Sequence, residues 1–184
     1  DNTEMLRTVL EAIDESREIH LHYRHNYDPA REERTVVKPI GVKLFRQRWY
    51  LIAETAGGEA YSYALDRILH IAKGATIVPS SITLDALFAD SYGIIREPQT
   101  TSEEIELRVE REQANYFLSL PLHPSQELSR YEDGYAIFRL RVAPTYDFIM
   151  DILSHGDKVE VLAPQSLRDT IRAKLKTVLN LYNQ

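Results

Sequence analysis

The chain contains no cysteine among its 184 residues. Disulfides, thiolate zinc sites and cysteine nucleophiles are therefore excluded, and the composition fits a reducing compartment, so we expect a cytoplasmic protein. No apolar stretch approaches the roughly 20 residues that a membrane-spanning helix needs, and we expect neither membrane association nor a signal peptide. A Gly-rich phosphate loop, a nucleophile elbow and a zinc-protease pair are also missing. The sequence therefore predicts a protein that is not an enzyme and carries no cofactor.

Positive charge is scarce overall but locally concentrated. The net charge of −6 argues against a protein that binds DNA with its whole surface, because such binding needs a broad positive field. A basic set nevertheless surrounds the only tryptophan, Trp49. It comprises Arg31, Arg34, Lys38, Lys43, Arg46 and Arg48. This concentration indicates a local surface for an anion or for nucleic acid.

The first half of the chain has the pattern of one helix followed by short strands. Apolar residues recur at helical spacing over residues 5–13 and predict an amphipathic helix. Strands are predicted over residues 19–24, 35–45, 49–53, 60–65 and 67–72. Asp28-Pro29 is a turn signal, and Pro39 and Gly41 predict a bend in the long second strand. Consecutive short strands of this kind predict a small barrel, which leaves no sheet edge exposed.

The second half has a different order of elements. Residues 73–102 form a bridge with a short helical patch, and its polar end contains Pro98, which predicts a linker. We therefore expect two domains, over residues 1–96 and 97–184. In the second domain, strands are predicted over residues 104–109, 127–131, 135–142 and 159–162, and helices over 112–120, 145–154 and from 164 onward. Asp133-Gly134 predicts a type I′ turn between the second and third of these strands. This βαββαβ order with a terminal helix is the ferredoxin-like pattern, and the fold class of the chain is α+β.

Several spaced motifs run in order through the chain. They are Tyr23, the segment 34–41, the triplet Trp49-Tyr50-Leu51, the signature Leu65-Asp66-Arg67-Ile68, the segment 88–94 and the segment 153–164. The motifs up to residue 94 resemble the WYL domain of bacterial transcriptional regulators. The last segment resembles the C-terminal extension that often accompanies this domain. Together the two resemblances cover nearly the whole chain.

The resemblance implies a small Sm-like or SH3-like barrel that senses a ligand. In the full protein this barrel would follow an N-terminal helix-turn-helix, which this sequence does not contain and through which DNA would be bound. The implied effector is single-stranded nucleic acid or a nucleotide, and the implied assembly is a homodimer. The chain departs from the pattern at Ala64, where many relatives carry an arginine. The loss of that positive side chain weakens the expectation of nucleic-acid binding and allows a different effector.

Arg67 is the first candidate for ligand binding. A guanidinium presents a planar fork that fits a phosphate through two hydrogen bonds. Its structural alternative is an ion pair with a nearby carboxylate. The carboxylates in question are Asp66, Glu54 and Glu59.

Two tyrosines are candidates beside it. Tyr23 and Tyr50 are suited to stacking a base or to donating a hydroxyl to phosphate, and their structural alternative is core packing with a satisfied hydroxyl. Trp49 alternates with Tyr50, so only one of them can face the barrel interior. We interpret Trp49 as structural.

The remaining candidates are basic side chains that would line an electrostatic groove, with a solvated strand face as the alternative. They comprise Arg34, Lys38, Arg46, Arg48, His22 and His25. His20 and His22 share a strand face, but no carboxylate stands at clear ligand spacing. We therefore predict no metal site.

The strands of the second domain also carry charge. Glu106 and Arg108 share one face of the first strand, and Arg139 and Arg141 share one face of a neighbouring strand. Cross-strand ion pairs are expected from this arrangement. The functional alternative is a surface that faces a dimer partner or DNA.

The sequence favours an effector-sensing, dimerising region of a transcriptional regulator. Its barrel would bind a phosphate-bearing ligand and thereby change the DNA affinity of a homodimer. One alternative is a protein-interaction module whose domains serve dimerisation without a ligand. Another is a small-molecule hydrolase, although Asp66-Arg67 and residues 154–157 have no spacing that defines a reaction.

Overall fold

The computed structural model describes residues 2–183 apart from Tyr27, Pro29 and Pro98. The chain divides into two compact units, Asp1–Ala89 and Asp90–Gln184. Each unit combines helices with an antiparallel sheet, so the fold is of the mixed α+β kind that the sequence predicts. Two sequence predictions, the turn that includes Pro29 and the linker that includes Pro98, fall partly outside the described residues.

The first unit is a helix followed by a five-stranded antiparallel sheet in the order β4-β3-β2-β1-β5. Its elements are α1 (Asn2–Asp14), β1 (Arg17–Arg24), β2 (Glu32–Phe45), β3 (Arg48–Glu54), β4 (Ala60–Ala64), β5 (Ile68–Thr76) and α2 (Leu84–Phe88). The apolar stripe of α1 buries Val9 and Ala12 against the inward side chains of β1, among them Ile19 and Leu21. Helical periodicity on α1 and alternation on β1 therefore meet in one core.

Strand β2 pairs with β1 over residues 32–37 and with β3 over residues 38–45. The register with β3 shifts between Pro39 and Gly41. This irregularity lies where the sequence predicts a bend, because proline cannot donate to a ladder and glycine allows a bulge. Gly41 also makes room for α2, since a Cβ there would lie 2.5 Å from Cδ1 of Leu84.

The connection between β4 and β5 differs from the prediction. Residues Leu65–Arg67 form a 3₁₀ turn, so Arg67 lies in a turn and not on a strand. Leu65 anchors the turn in the core, and the reversal lets β5 pair with β1 instead of continuing from β4. In the described part of the chain β4 and β5 are the two sheet edges and do not pair with each other. The strand pairing therefore does not close the predicted barrel.

The second unit follows the predicted order of elements. They are β6 (Glu103–Glu110), α3 (Arg111–Ser119), β7 (Glu127–Glu132), β8 (Tyr135–Val142), α4 (Tyr146–Ser154), β9 (Val159–Ala163) and α5 (Gln165–Tyr182). The antiparallel sheet has the order β7-β8-β6-β9. Asp133 and Gly134 join β7 to β8 with positive φ at both residues, as the predicted type I′ turn requires. None of the helices that the structure describes is long and apolar enough to cross a membrane.

A buried carboxylate fastens the segment that precedes β6 to helix α4. Asp147 is 5% exposed and accepts hydrogen bonds from the backbone N–H groups of Ile94 and Ile95, each at 2.8 Å. Gly93 has a φ of +80°, and a Cβ there would lie 2.6 Å from Oδ2 of Asp147. Glycine is therefore required for the close approach of backbone and carboxylate.

Candidate ligand-binding surfaces

The Leu65–Arg67 turn presents the first candidate, Arg67. Its partly buried side chain interacts electrostatically with the Tyr23 hydroxyl, which accepts a hydrogen bond from the backbone N–H of Ala64 at 3.3 Å. Asp66 is bound instead by Nε of Arg48 at 3.1 Å. Among the residues that the structure describes, no carboxylate pairs with Arg67. Its contact with a neutral hydroxyl leaves the positive charge of Arg67 without a counter-ion.

Tyr23 is a core residue, only 2% exposed. Its ring packs edge-on against Tyr63 and His25, with centroid distances of 5.1 and 5.4 Å. Burial raises the pKa of both the Tyr23 and the Tyr63 hydroxyl, so both stay protonated. Because Tyr23 has no exposed face, the geometry favours its packing alternative over base stacking. Its hydroxyl orients Arg67.

The β2–β3 hairpin lies next to this turn. Arg46 and Gln47 form its tip, both with positive φ. The Arg46 guanidinium lies over the ring of Phe45 at 5.3 Å, and Arg48 reaches Asp66 of the Leu65–Arg67 turn. The hairpin therefore places Arg48 beside the turn that carries Arg67, with Arg46 at the hairpin tip.

The Trp-Tyr-Leu triplet distributes its side chains along β3. Leu51 is fully buried in the core, Tyr50 is partly buried, and Trp49 is 38% exposed. Tyr50 lies between Lys43 and Ala64 in the strand register. Within the triplet, Leu51 makes the core contact, while Tyr50 lies on β3 two residues after Arg48. We call Arg67, Arg48, Arg46 and Tyr50 together the Arg67 surface.

A second group of candidates lies on the outward face of β1, β2 and β5. Here a cleft of about 450 Å³ is lined by His20, His22, Arg34, Val36 and His70, with Leu21 and Thr35 below them. In register, His22 stands between Arg34 on β2 and His70 on β5, and His20 stands beside Val36. We call this site the histidine cleft.

Glutamates hold two of the predicted histidines near the end of β1. Nε2 of His22 lies 2.7 Å from Oε2 of Glu32, and Nε2 of His25 lies 2.9 Å from Oε2 of Glu33. Hydrogen bonds from Arg24, at 3.0 Å, and from His22 lower the pKa of Glu32. Within the described chain, no group of three or more histidine, aspartate or glutamate side chains is arranged to hold a metal ion.

The nine predicted binding residues therefore do not form one groove. Arg67, Arg48, Arg46, Tyr50 and the supporting Tyr23 belong to the Arg67 surface, and His22 and Arg34 belong to the histidine cleft. Lys38 is exposed on β2 opposite Glu54, and His25 is turned toward Glu33. Sequence reasoning missed His70, because its position beside His22 depends on how β5 pairs with β1.

The sheet of the second unit carries the predicted ion pairs. Glu106 and Arg139 are register partners on β6 and β8, with Nε of Arg139 3.3 Å from Oε2 of Glu106. Arg130 also reaches Glu106, at 3.2 Å. Arg108 pairs with Glu160 of β9. The cross-strand prediction is therefore confirmed, and these arginines are engaged within the unit itself.

The chain is thus a two-unit α+β protein. Most arginines on the sheet of its second unit pair with glutamates, whereas Arg34 and Arg67 of the first unit have no carboxylate partner among the described residues. A model of the WYL domain matches residues 4–73, and a model of the WCX domain matches residues 101–179. The chain therefore contains a WYL domain followed by a WCX domain, and the WYL match confirms the family resemblance drawn from its motifs.

Two solved structures are similar to the whole chain. Proteasome accessory factor B/C (PafBC) of Arthrobacter aurescens is 20% identical with a TM-score of 0.42, and the match covers 100% of this chain and 28% of that chain. A CRISPR Cas-related protein is 14% identical with a TM-score of 0.53, and the match covers 99% of this chain and 53% of that chain. The second likeness concerns the fold alone, and this chain spans only part of either neighbour. No curated protein matches the chain.

Proposed function

We propose that this chain is the effector-sensing, dimerising region of a transcriptional regulator, and that it binds rather than transforms its ligand. The ligand is a phosphate-bearing molecule, either single-stranded nucleic acid or a nucleotide. Binding shifts a homodimer between two arrangements and so changes the DNA affinity of a helix-turn-helix in the full protein. The WYL and WCX matches support the regulatory role.

The observation that carries the ligand proposal is the state of Arg67. Its guanidinium is partly buried, oriented by the Tyr23 hydroxyl and without a carboxylate partner in the described part of the chain. An oriented arginine without a counter-ion is suited to a phosphate, which accepts its two parallel N–H groups. Arg48 and Arg46 add positive charge nearby, and Tyr50 offers a partly exposed ring.

The detailed architecture in this proposal is an Sm-like or SH3-like sheet, whose edge strands β4 and β5 do not pair in the described part of the chain, followed by a ferredoxin-like domain. The long strand β2, shared by two strand pairs, and the 3₁₀ turn before β5 support the first. The strand order β7-β8-β6-β9 with helices after β6 and β8 supports the second.

The test is a titration of fluorescein-labelled short oligonucleotides and of cyclic nucleotides at low salt. We expect Arg67→Ala to bind about 10- to 100-fold more weakly, since a hydrogen-bonded charge contributes about 1.5–3 kcal/mol. Arg67→Lys keeps the charge but loses the planar fork, and its affinity should be intermediate. Arg7→Ala, an exposed change on α1, is the matched control and should bind like the unmodified chain.

The proposed Arg67 site is refuted if Arg67→Ala binds as tightly as the unmodified chain. Absence of any binding at low salt refutes the choice of ligand. Thermal melting of each variant distinguishes a lost ligand contact from a lost fold, because both substitutions also change the interaction of residue 67 with the buried Tyr23.

A second function, dimerisation without a ligand, is favoured by helix α5. Leu167 is buried and Ile171 is partly buried against the core, but several later apolar residues are exposed, with Leu175 at 52%, Val178 at 46% and Leu179 at 59%. A second copy of the chain is the occupant this function requires. Light scattering should then show a dimer that Leu179→Glu dissociates, while no nucleotide changes the melting temperature.

A further inference from the structure

The histidine cleft arises from strand alternation in β1. Ile19, Leu21 and Tyr23 point into the core, so His20 and His22 must point outward. The two neighbouring strands then complete the cleft with side chains on the same face of the sheet. They contribute Arg34 and Val36 from β2 and His70 from β5.

Three imidazoles and a guanidinium share this face, and glutamates pair with two of the three imidazoles. Nε2 of His20 lies 3.1 Å from Oε1 of Glu18, and His22 is held by Glu32. The titratable and charged groups around the cleft are Glu18, His20, His22 and Arg24 on β1, Glu32, Arg34 and Lys38 on β2, and His70 on β5. In the described part of the chain neither Arg34 nor His70 has a carboxylate partner.

We propose that the histidine cleft is a proton-controlled binding site for a small organic anion. Arg34 supplies a permanent charge, and the three histidines supply further charge when they are protonated. Histidine is the side chain that changes charge between about pH 5 and pH 8. The positive charge of the cleft therefore increases as the pH falls through that range. This site is separate from the Arg67 surface and does not depend on the ligand proposed for it.

The size and floor of the cleft favour an anion with an apolar body over a bare inorganic ion. A volume of about 450 Å³ is that of a small-molecule site. Val36 is 42% exposed beside His20 and offers an apolar contact for such a body. Arg34 and His70 flank His22, so an anionic group placed there meets all three side chains.

Anion binding and protonation are reciprocal in this arrangement. By linkage, an anion that binds the protonated cleft more tightly also promotes its protonation. Affinity should therefore rise as pH falls from about 8 to about 6.

The experiment uses benzenesulfonate as the probe, because its charge stays constant across this range. Calorimetric titration of the whole chain should give an affinity at least about tenfold higher at about pH 6 than at about pH 8. Imidazole NMR signals should shift for His20, His22 and His70 and not for His155, which is held by Asp151 in the second unit.

Variants separate the two sources of charge. Arg34→Gln should weaken binding at every pH, whereas His70→Gln should flatten the pH dependence. His155→Gln is the matched control and should change neither quantity, and Arg67→Ala should leave benzenesulfonate binding intact. Equal affinity at both pH values, no binding at the lower pH, or full affinity in Arg34→Gln would overturn the proposal, whatever the outcome of the oligonucleotide titrations.

Discussion

On the sheet of the second unit most arginines meet a glutamate, whereas on the outward face of β1, β2 and β5 Arg34 and His70 meet none among the described residues. The second sheet joins Glu106 to Arg130 and Arg139, Glu160 to Arg108 and Arg168, and Glu110 to Lys158. Both faces are polar and carry several cations. They differ in whether the chain itself supplies the counter-charge.

The difference separates surfaces whose cations are already paired with carboxylates from surfaces whose cations can bind an anionic ligand. An exposed ion pair contributes only about 0.2–1 kcal/mol, but it also cancels the local field that would attract an anion. Arg67 and Arg34 keep their field because neither has a carboxylate partner among the described residues, whereas His20 and His22 of the histidine cleft are held by Glu18 and Glu32. The balance of charge, and not the number of arginines, therefore locates the candidate sites on the first unit.

The comparison predicts that polar groups of the second unit serve the fold, and Asp147 should give the largest effect. Asp147→Ala leaves the N–H groups of Ile94 and Ile95 without their buried acceptor and should cost about 2–4 kcal/mol. Asp147→Asn keeps an oxygen in place and should cost less. Urea unfolding measures both variants, and an unchanged midpoint in Asp147→Ala would contradict the structural role.

Tyr23→Phe makes the corresponding test in the first unit, where Tyr23 is a structural polar group. The variant deprives the buried N–H of Ala64 of its acceptor and should destabilise the chain by about 1–2 kcal/mol. Arg67 also loses its orienting hydroxyl, so affinity for a phosphate ligand should fall modestly. Tyr61→Phe, at a residue that is 44% exposed, is the control and should have the stability of the unmodified chain.

Local patterns predicted most of the elements. The apolar stripe of α1, the alternation of β1 and the Asp133-Gly134 turn each act within a few residues, and each is confirmed. The Leu65–Arg67 turn was missed because it contains neither glycine nor proline, and the alternation of Tyr63 and Leu65 runs straight into it.

The candidate site was less predictable because it depends on contacts between distant strands. The alternation that buries Ile19 and Leu21 also buries Tyr23, so strand parity alone favours a structural role for that tyrosine. His70 joins His22 only through the β1–β5 register, which is set by the long-range reversal after β4. No spacing along the sequence encodes that neighbourhood.

A matched pair of variants compares a paired arginine of the second unit with Arg34 of the first unit, and their expected effects on stability are smaller. Arg139→Gln removes a partner of Glu106 and should cost about 0.5 kcal/mol without any effect on anion binding. Arg34→Gln removes a cation that has no carboxylate partner in the described chain, so stability should stay within about 0.5 kcal/mol while anion binding weakens. Urea unfolding and calorimetry on both variants check the pair, and a reversed pattern would remove the basis of the comparison.

The smallest effect is expected where the first unit does balance its charge, at the clamp between α1 and β5. Nζ of Lys73 lies 2.8 Å from Glu15 and 3.0 Å from Glu11, and the hydrogen bond from Lys73 lowers the pKa of Glu15 below its ordinary value of 4.5. Because the carboxyl pKa is lower in the folded state than in the unfolded state, it stabilises the fold at pH values above its ordinary pKa. This contribution is lost as the pH falls through the lower pKa of the folded state. Lys73→Gln should therefore lower the melting temperature by about 1–2 °C at neutral pH, and by progressively less below about pH 4. A difference that persists unchanged into strong acid would show that the clamp acts through packing of the lysine stem and not through its charge.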